Sequence, residues 1–522
     1  MADIKAIIEN PHPVYQRNIN YWNFLLDSYE GGADYTSAFV RNDSLDKQSN
    51  RVTVKVNGKK LNRQINSNLF MHKKELTEDY QARVDMSYYY NFCAPVIDIY
   101  TNHLFRQSII EDYGSIKNLV EERKENIDQQ GSTIEEYRAQ VAESMQIFGH
   151  TYTLVDSPLI GEEVLNLQDK MDNGVFPYFT NIQPQNLVNW ALDRFGRPYW
   201  VMLIEIGDSN INYETFDKES RLNINYRLWT REEWILYNSK YEEIDRGLHG
   251  LGFVPISCAY DRKSKKEKAF LGVSFIADIS FIARDIYNSC SELKQILRDQ
   301  TFSILAIQGD AKDYPAIEVA TNKGLLVPKD SQFPQYITPP AGPSETLMKH
   351  IDGQVSRIFQ LAKLEGGSAS FKGQDAVEQS GVSKAWDFNQ TNSALTTKAS
   401  NLEDAEYRAW QMFAAWEGKE FDGKIAYPRE FSVNSLKQDL DEAEQIVRMN
   451  ISNEFNKEVK RTIIKKKFPQ LPDDKLKKIE KEIDSSEIQQ GGKISERINN
   501  FLNSRTPTGG NNGGFNGNSR TQ

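Results

Sequence analysis

Side chains suited to chemistry are spread thinly along this 522-residue chain. Its six histidines, His12, His72, His103, His150, His249 and His350, are too far apart for a local HxxxH metal pair. No GxxxxGK loop followed by Ser or Thr occurs. Gly366-Gly367 and Gly491-Gly492-Lys493 lack both the spacing and the preceding strand that a phosphate cradle needs. A serine elbow of the form GxSxG is absent. The acidic pairs Glu403-Asp404 and Asp473-Asp474 fall in charge-rich helical stretches and read as solvated faces. His249, between Gly247 and Gly250, reads as a turn residue. The expectation is therefore no catalytic group, no cofactor and no metal. A nucleotide-driven motor or a nuclease, the alternative class, would need a phosphate loop or an acidic metal cluster.

Two stretches could touch a polyanion without chemistry. One is Lys457, Lys460, Arg461, Lys465, Lys466 and Lys467, followed by Lys475, Lys477, Lys478 and Lys481. Acidic residues interleave it (Glu458, Asp473, Asp474, Glu480, Glu482), as on a solvated helical surface. The other is the loop 366–382, with Gly366, Gly367, Gly373 and Gly381. It carries one cation, Lys372, beside Phe371, with Asp375 and Glu378 following. Overall charge points away from tight phosphate binding: 63 basic against 73 acidic residues give a net −10. Three cysteines at unrelated spacings (Cys93, Cys258, Cys290) form no disulfide framework, which suggests a reducing compartment. No charged-then-apolar leader opens the sequence, and no apolar run approaches the ~20 residues of a spanning helix. The chain is expected to be cytosolic or assembled there.

The elements that would position such groups are legible in part. Phe275, Ile279, Ile282, Ile286, Ser289, Leu293 and Ile296 step by four and three, the narrow seam of a long helix packed on other helices. Leu347, Ile351, Val355, Ile358 and Leu361 repeat the spacing after an insert with six prolines (303–343) that no long helix can cross. Two readings stay open: an antiparallel pair inside one domain, or a pair packed against copies of itself in a ring. In the second, a lone copy would leave Phe275, Ile279, Ile282 and Ile286 partly uncovered.

Around that pair the pattern is mixed α+β. Tyr15, Trp22, Leu25 and Tyr29 keep helical spacing before Gly31-Gly32. Arg51 to Val56 alternates into Asn57-Gly58, a hairpin signal. Residues 75–105 read as a helix with Tyr80, Val84, Tyr88 and Phe92 on one face, interrupted by Pro95. Ile134 to Phe148 reads as a helix closed by Gly149. Strands are expected at Thr151–Val155, Phe176–Ile182, Trp200–Ile206, Ile224–Thr230 and Glu233–Tyr237, and within the insert at Ser303–Gln308 and Gly324–Val327. A long helix over 383–416 carries Trp386, Leu395, Leu402, Trp410 and Phe413, and Tyr427–Val433 returns as a strand. Charged helices fill 436–490, and the Gly/Asn-rich end 506–522 reads as disordered.

Laid in order, short motifs over most of residues 10–435 resemble the portal proteins of tailed bacteriophages. They are His12-Pro-Val-Tyr15, Trp22, Tyr29-Glu-Gly-Gly32, Tyr80-Gln-Ala-Arg83 and Asn91. Then come Val96-Ile-Asp-Ile-Tyr-Thr-Asn-His-Leu-Phe105, Phe148-Gly149-His150 and Thr151-Tyr-Thr-Leu-Val-Asp156. Ile182-Gln-Pro-Gln-Asn-Leu-Val-Asn-Trp190 is the most characteristic, followed by Asp193-Arg-Phe-Gly196, Trp229-Thr230 and Gly252-Phe-Val-Pro255.

The resemblance implies a non-enzymatic ring, usually dodecameric, at one capsid vertex of the virion, assembled in the host cytoplasm. Double-stranded DNA would pass through it without sequence reading. Terminase large subunit, head-completion or adaptor proteins, and the major capsid and scaffolding proteins would be its partners, with no membrane. By resemblance, 1–273 is the wing, 274–302 and 344–364 the stem helices, and 303–343 the clip. Residues 365–382 are the tunnel loop, with Phe371, Lys372, Asp375 and Glu378 facing DNA. The long kinked helix and wing return span 383–435, the crown 436–505 and a disordered tail 506–522. Phe275, Ile279, Ile282, Ile286 and Leu293 would form the inter-subunit stem. A shorter head–tail adaptor ring is the structural alternative.

Overall fold

The structure is a computed structural model describing residues 4–36, 45–46, 51–56, 59–63, 68–73, 75–158, 176–208, 222–267, 269–301, 304–306, 335–337, 342–364, 381–431, 452–467 and 473–485. The chain forms two compact units, Met1–Phe431 and Ser432–Gln522.

The first unit opens with α1 (Ile4–Glu9), α2 (Pro13–Glu30) and α3 (Gly32–Thr36). Pro13 begins α2, where a missing N–H costs nothing, and His12 Nδ1 accepts from the Val14 N–H at 3.2 Å. The His12 ring stacks on Trp190 with centroids 3.9 Å apart, so the start of α2 is anchored to the distant strand meander. Strands β1 (Leu45–Asp46), β2 (Arg51–Val56) and β3 (Lys59–Arg63) form an antiparallel sheet, with Val56 opposite Lys59 as the hairpin signal requires.

The helix expected over 75–105 divides into α4 (Thr77–Met86) and α5 (Cys93–Leu104). Ser87 is already extended (φ −82°, ψ 146°), so Tyr88 and Phe92 do not continue the helical face of Tyr80 and Val84. Pro95 breaks nothing. It sits in the first turn of α5, where its absent N–H had no intrahelical partner, and Asn91 Oδ1 takes the free Cys93 and Ala94 N–H groups at 3.1 and 3.0 Å.

After β4 (Ile110–Asp112) and α6 (Lys117–Glu121) comes α7 (Ile134–Phe148). A reciprocal capping box starts α7: Thr133 Oγ1 accepts from the Glu136 N–H at 3.2 Å, and Glu136 Oε2 from the Thr133 N–H at 2.8 Å. Gly149 ends it at φ 84°, the cap read from sequence. A Cβ there would lie 2.4 Å from the Val273 carbonyl carbon, so this crossing needs glycine for space as well as for φ.

Two antiparallel sheets follow. Strands β5 (His150–Asp156) and β6 (Tyr178–Ile182) pair with β12 (Ile256–Tyr260) in the order β12-β5-β6. Between them a meander runs through β7 (Leu187–Leu192), β8 (Pro198–Asp208), β9 (Leu222–Trp229), β10 (Glu233–Tyr237) and β11 (Glu243–Leu248). The sequence reading marked no strand at β4, β7, β11 or β12. β4 has three residues, and β12 is buried throughout, so it shows no alternation.

The remaining elements are α8 (Ala277–Thr301), β13 (Ile304–Ala306), β14 (Gln335–Ile337), α9 (Gly342–Leu361), α10 (Gly381–Trp416) and β15 (Lys424–Ala426). The observed return strand precedes the expected Tyr427–Val433. Ile425 pairs with Glu111 across β15 and β4, while Tyr427 turns its hydroxyl inward onto Glu406. Gly324–Val327 lies outside the described residues. The described architecture is mixed α+β, as expected.

In the second unit, α11 (Asn453–Lys467) and α12 (Asp473–Ser485) form a charged helix pair. Lys457 Nζ donates to the Asp484 carbonyl at 3.0 Å, and Arg461 pairs with Glu458 at 3.0 Å and with Asp484. Two members of the basic cluster are thus engaged within their own unit. The tail 506–522 lies outside the described residues.

Candidate functional site: the helix hairpin and the long helix

Helices α8 and α9 pack as a hairpin bracketing the proline-rich insert. The seam read from sequence is real, but it does not stay bare. Ile279 and Ile286 are each 1% exposed, buried with Ile276, Ala283, Ile358 and Ala362 in the core shared with α2, α5 and the sheets. Phe275, Ile282 and Leu293 are half-buried. The expectation that a lone copy leaves Ile279 and Ile286 uncovered is therefore corrected: the chain's own N-terminal helices and α9 cover them. Ser280, Ser289 and Ser291 are buried along α8, and Ser291 Oγ accepts from Arg83 Nη1 at 3.3 Å and Ser87 Oγ at 2.9 Å. The polar tie between the two helices is exposed: Asp285 Oδ2 meets His350 Nε2 at 2.9 Å and Gln354 Nε2 at 2.6 Å.

What α8 leaves to solvent is its opposite face, which the seam pattern did not mark. Phe281 is 46% exposed, stacks on Tyr21 and lies tilted against Phe24, at centroid distances of 6.2 and 5.2 Å. The Arg284 guanidinium carbon lies 4.9, 5.0 and 5.3 Å from the ring centroids of Phe24, Phe281 and Phe70. A large aromatic at a polar position of the heptad was the only sequence signal for it.

Helix α10 is held differently. Of the apolar positions read from sequence, Leu395, Leu402, Trp410 and Phe413 are buried, joined by Ala399 and Ala409, while the Trp386 side chain lies outside the described residues. Buried polar ties then fix its register. The Lys398 ammonium pairs with Asp261, their side chains only 4% and 10% exposed, and lies 3.8 Å from the Phe275 ring centroid. Burial pulls the Lys398 pKa down and pushes the Asp261 pKa up; mutual attraction opposes both shifts. Asn401 Nδ2 donates to the Asp261 carbonyl at 3.0 Å, and Ser257 Oγ to the Ala405 carbonyl at 2.8 Å.

One turn further on, Arg138 of α7 sits between Glu406 and Glu111, with its Nη2 2.6 Å from Glu406 Oε1. Trp410 Nε1 and the Tyr427 hydroxyl donate to the same Glu406 carboxylate at 2.9 and 2.6 Å. Burial alone would raise the Glu111 pKa, but Arg138 and Lys124 outweigh it and hold the pKa below the ordinary range. Neither charge cluster was legible in sequence, because the partners lie 137 and 268 residues apart.

The loop residues Phe371, Lys372, Asp375 and Glu378 lie outside the described residues. Among the described residues no group of three or more His, Cys, Asp or Glu side chains is arranged to hold a metal ion. No helix among them is long and apolar enough to cross a membrane. Cys93 and Cys258 are buried and unpaired, and burial pushes each thiol up to about 12, well away from a reactive thiolate.

No family model and no curated protein matches the chain. Among solved structures, it is similar to a chain in the virion of a native gene transfer agent particle, with 11% identity and a TM-score of 0.39. That match covers 68% of this chain and 84% of the other. A chain from the neck of an empty gene transfer agent particle, computed with C6 symmetry, gives 11% identity and a TM-score of 0.37 over 68% and 85%. One from the neck of the native particle, computed with C12 symmetry, gives 12% and 0.37 over 72% and 89%.

Proposed function

We propose that the chain is a portal-type ring subunit. Copies close around a channel at one capsid vertex, and double-stranded DNA is packaged and ejected through it. The terminase large subunit and then head-completion proteins dock on the ring, with major capsid and scaffolding proteins around it. Its work is mechanical and positional, without catalysis.

The observation that carries this reading is the order of elements, taken with the motif succession. Helices and a strand meander come first, then a helix hairpin bracketing an insert, then, beyond residues 365–380, a 36-residue helix strapped back on the first body. After that excursion the chain returns to pair β15 with β4, residue Ile425 against Glu111. A hairpin and loop held at both ends by one α+β body can present the loop inward while the body keeps its place in the ring.

Negative-stain images of the purified protein test the reading: rings with a central hole are expected, and single particles without one overturn it. ATP turnover, with or without DNA, is expected to equal that of a mock preparation; clear excess moves the chain to the motor class. In the proposed ring Lys372 side chains form a collar that touches phosphates without reading bases, with Asp375 and Glu378 weakening the grip. Lys372→Glu is expected to leave assembly intact and to change DNA packaging or retention; heads that fill and hold DNA normally remove that role.

A further inference from the structure

We infer that the Phe281–Arg284–Phe70 face of one copy seats on the exposed Glu345–Met348–Asp352 stripe of the next copy. This deepens the ring reading and rests on it. Phe281 and Phe70 are 46% and 59% exposed and lie with Phe24 around a single guanidinium, and Tyr21 stacks on Phe281. The patch is built in place: the Phe70 N–H donates to Asn288 Oδ1 at 2.8 Å, and Asn288 Nδ2 to the Asn68 carbonyl at 2.9 Å. Arg284 lies over three rings and forms no ion pair among the described residues. Aromatic side chains around an arginine are the usual anchors of protein interfaces.

The occupant is argued from charge. Three rings around a lone guanidinium make an apolar patch with a single cation, not a basic stripe of the kind that tracks a phosphate backbone. Such a patch suits a carboxylate brought by an apolar surface. On α9, Glu345, Met348 and Asp352 step by three and four along one exposed stripe, with Met348 46% exposed and Lys349 at its border. Neither Glu345 nor Asp352 makes an ion pair among the described residues. The two surfaces are made of different residues, one centred on α8 and the other on α9, so joining them between copies is a heterologous contact, the kind that propagates into a ring.

The test is sedimentation velocity of the full chain as wild type, Phe281→Glu, Arg284→Glu, Asp352→Arg and the Arg284→Glu/Asp352→Arg pair. Circular dichroism and thermal melting check that each is folded. Should a Glu variant unfold, Phe281→Ser and Arg284→Gln carry the same comparison. Wild type is expected as a multi-subunit species, the three single variants as 60.0 kDa chains, and the charge-swapped pair as restored assemblies. Single variants that assemble like wild type overturn the patch and leave the ring reading standing. Loss of assembly in the single variants without restoration in the swapped pair overturns the facing stripe. A wild type that stays a single chain at every concentration removes the ring reading itself, and this inference with it.

Discussion

The hairpin α8/α9 and the long helix α10 are both apolar-striped helices on the same body, yet they are secured by different forces. Hydrophobic burial dominates in the hairpin, whose inner seam is mostly apolar, whose tie of Asp285 to His350 and Gln354 is exposed, and whose outer aromatic face is open. In α10 the stripe is supplemented by buried charge, Lys398 on Asp261 and Glu406 on Arg138. Burial is non-directional and tolerates sliding by a turn, because the next apolar residue offers nearly the same area. A buried ion pair does not tolerate it, since a shift leaves each charge desolvated and alone. The difference suggests that α10 must keep one register while the hairpin keeps a surface for another molecule.

The hardest test of that contrast is Arg138→Met. It leaves the largely buried Glu111 and Glu406 with part of their compensation gone, and breaking such a pair costs about 3–5 kcal/mol. Urea unfolding of the folded chain should show the loss. Adding Glu406→Gln and Glu111→Gln to Arg138→Met should recover most of it, because the burial penalty disappears with the charges. A triple variant no better than the single one would mean that the network acts through packing.

Truncation of the hairpin seam should come next in size. Ile286→Ala removes a side chain buried against Ile279 and Ile358 and is expected to cost about 2–5 kcal/mol. Ile282→Ala, at a half-buried position, should cost less than half of that. Equal losses at 282 and 286 would contradict the seam orientation and revive the uncovered stripe read from sequence.

How far the sequence reached follows from the same contrast. Spacing alone found α8, α9 and α10, because apolar periodicity is a local property that survives whatever the partner is. It left open what covers Ile279 and Ile286, since periodicity says which face is apolar and not which molecule lies on it. Arg138, Glu406, Lys398 and Asp261 stayed invisible, each an ordinary charged residue until the fold brings its partner across more than a hundred positions. Pro95 was read as a break because its effect depends on where the helix starts, and Asn91 sets that start. Of the site residues, the stem set could be located, while the loop set lies outside the described residues.

A pH dependence separates core packing from the charge clusters. His150 is wholly buried beside Trp22, Tyr152 and Tyr260, and burial lowers its pKa to about 3 from 6.5. Between those values the unfolded chain binds a proton that the folded chain refuses, so stability falls as pH drops below 6.5. The expected slope is about 1.4 kcal/mol per pH unit from this one ring. Glu111, with its pKa depressed in the folded state, adds a loss only at lower pH, below its ordinary 4.5. His150→Gln keeps an acceptor near the Gly272 N–H and does not titrate, so the slope between pH 6 and 5, where Glu111 is silent, should drop by His150's share and keep only that of the other histidines whose pKa burial lowers, His12, His103 and His249.

The smallest effect belongs to the hairpin's polar tie. Asp285 and His350 are 47% and 44% exposed, so water screens their attraction and both side chains give up rotamer freedom to meet. Asp285→Asn keeps an oxygen that can accept from Gln354 Nε2 and loses only the charge. The expected change in unfolding free energy is within about 0.5 kcal/mol, shrinking further as salt is added. A double-mutant cycle of Asp285→Asn with His350→Gln should return a coupling of the same small size. Coupling as large as that between Arg138 and Glu406 would mean that the hairpin, too, is locked by charge. The distinction between a helix fixed in register and a hairpin held by its apolar seam would then be lost.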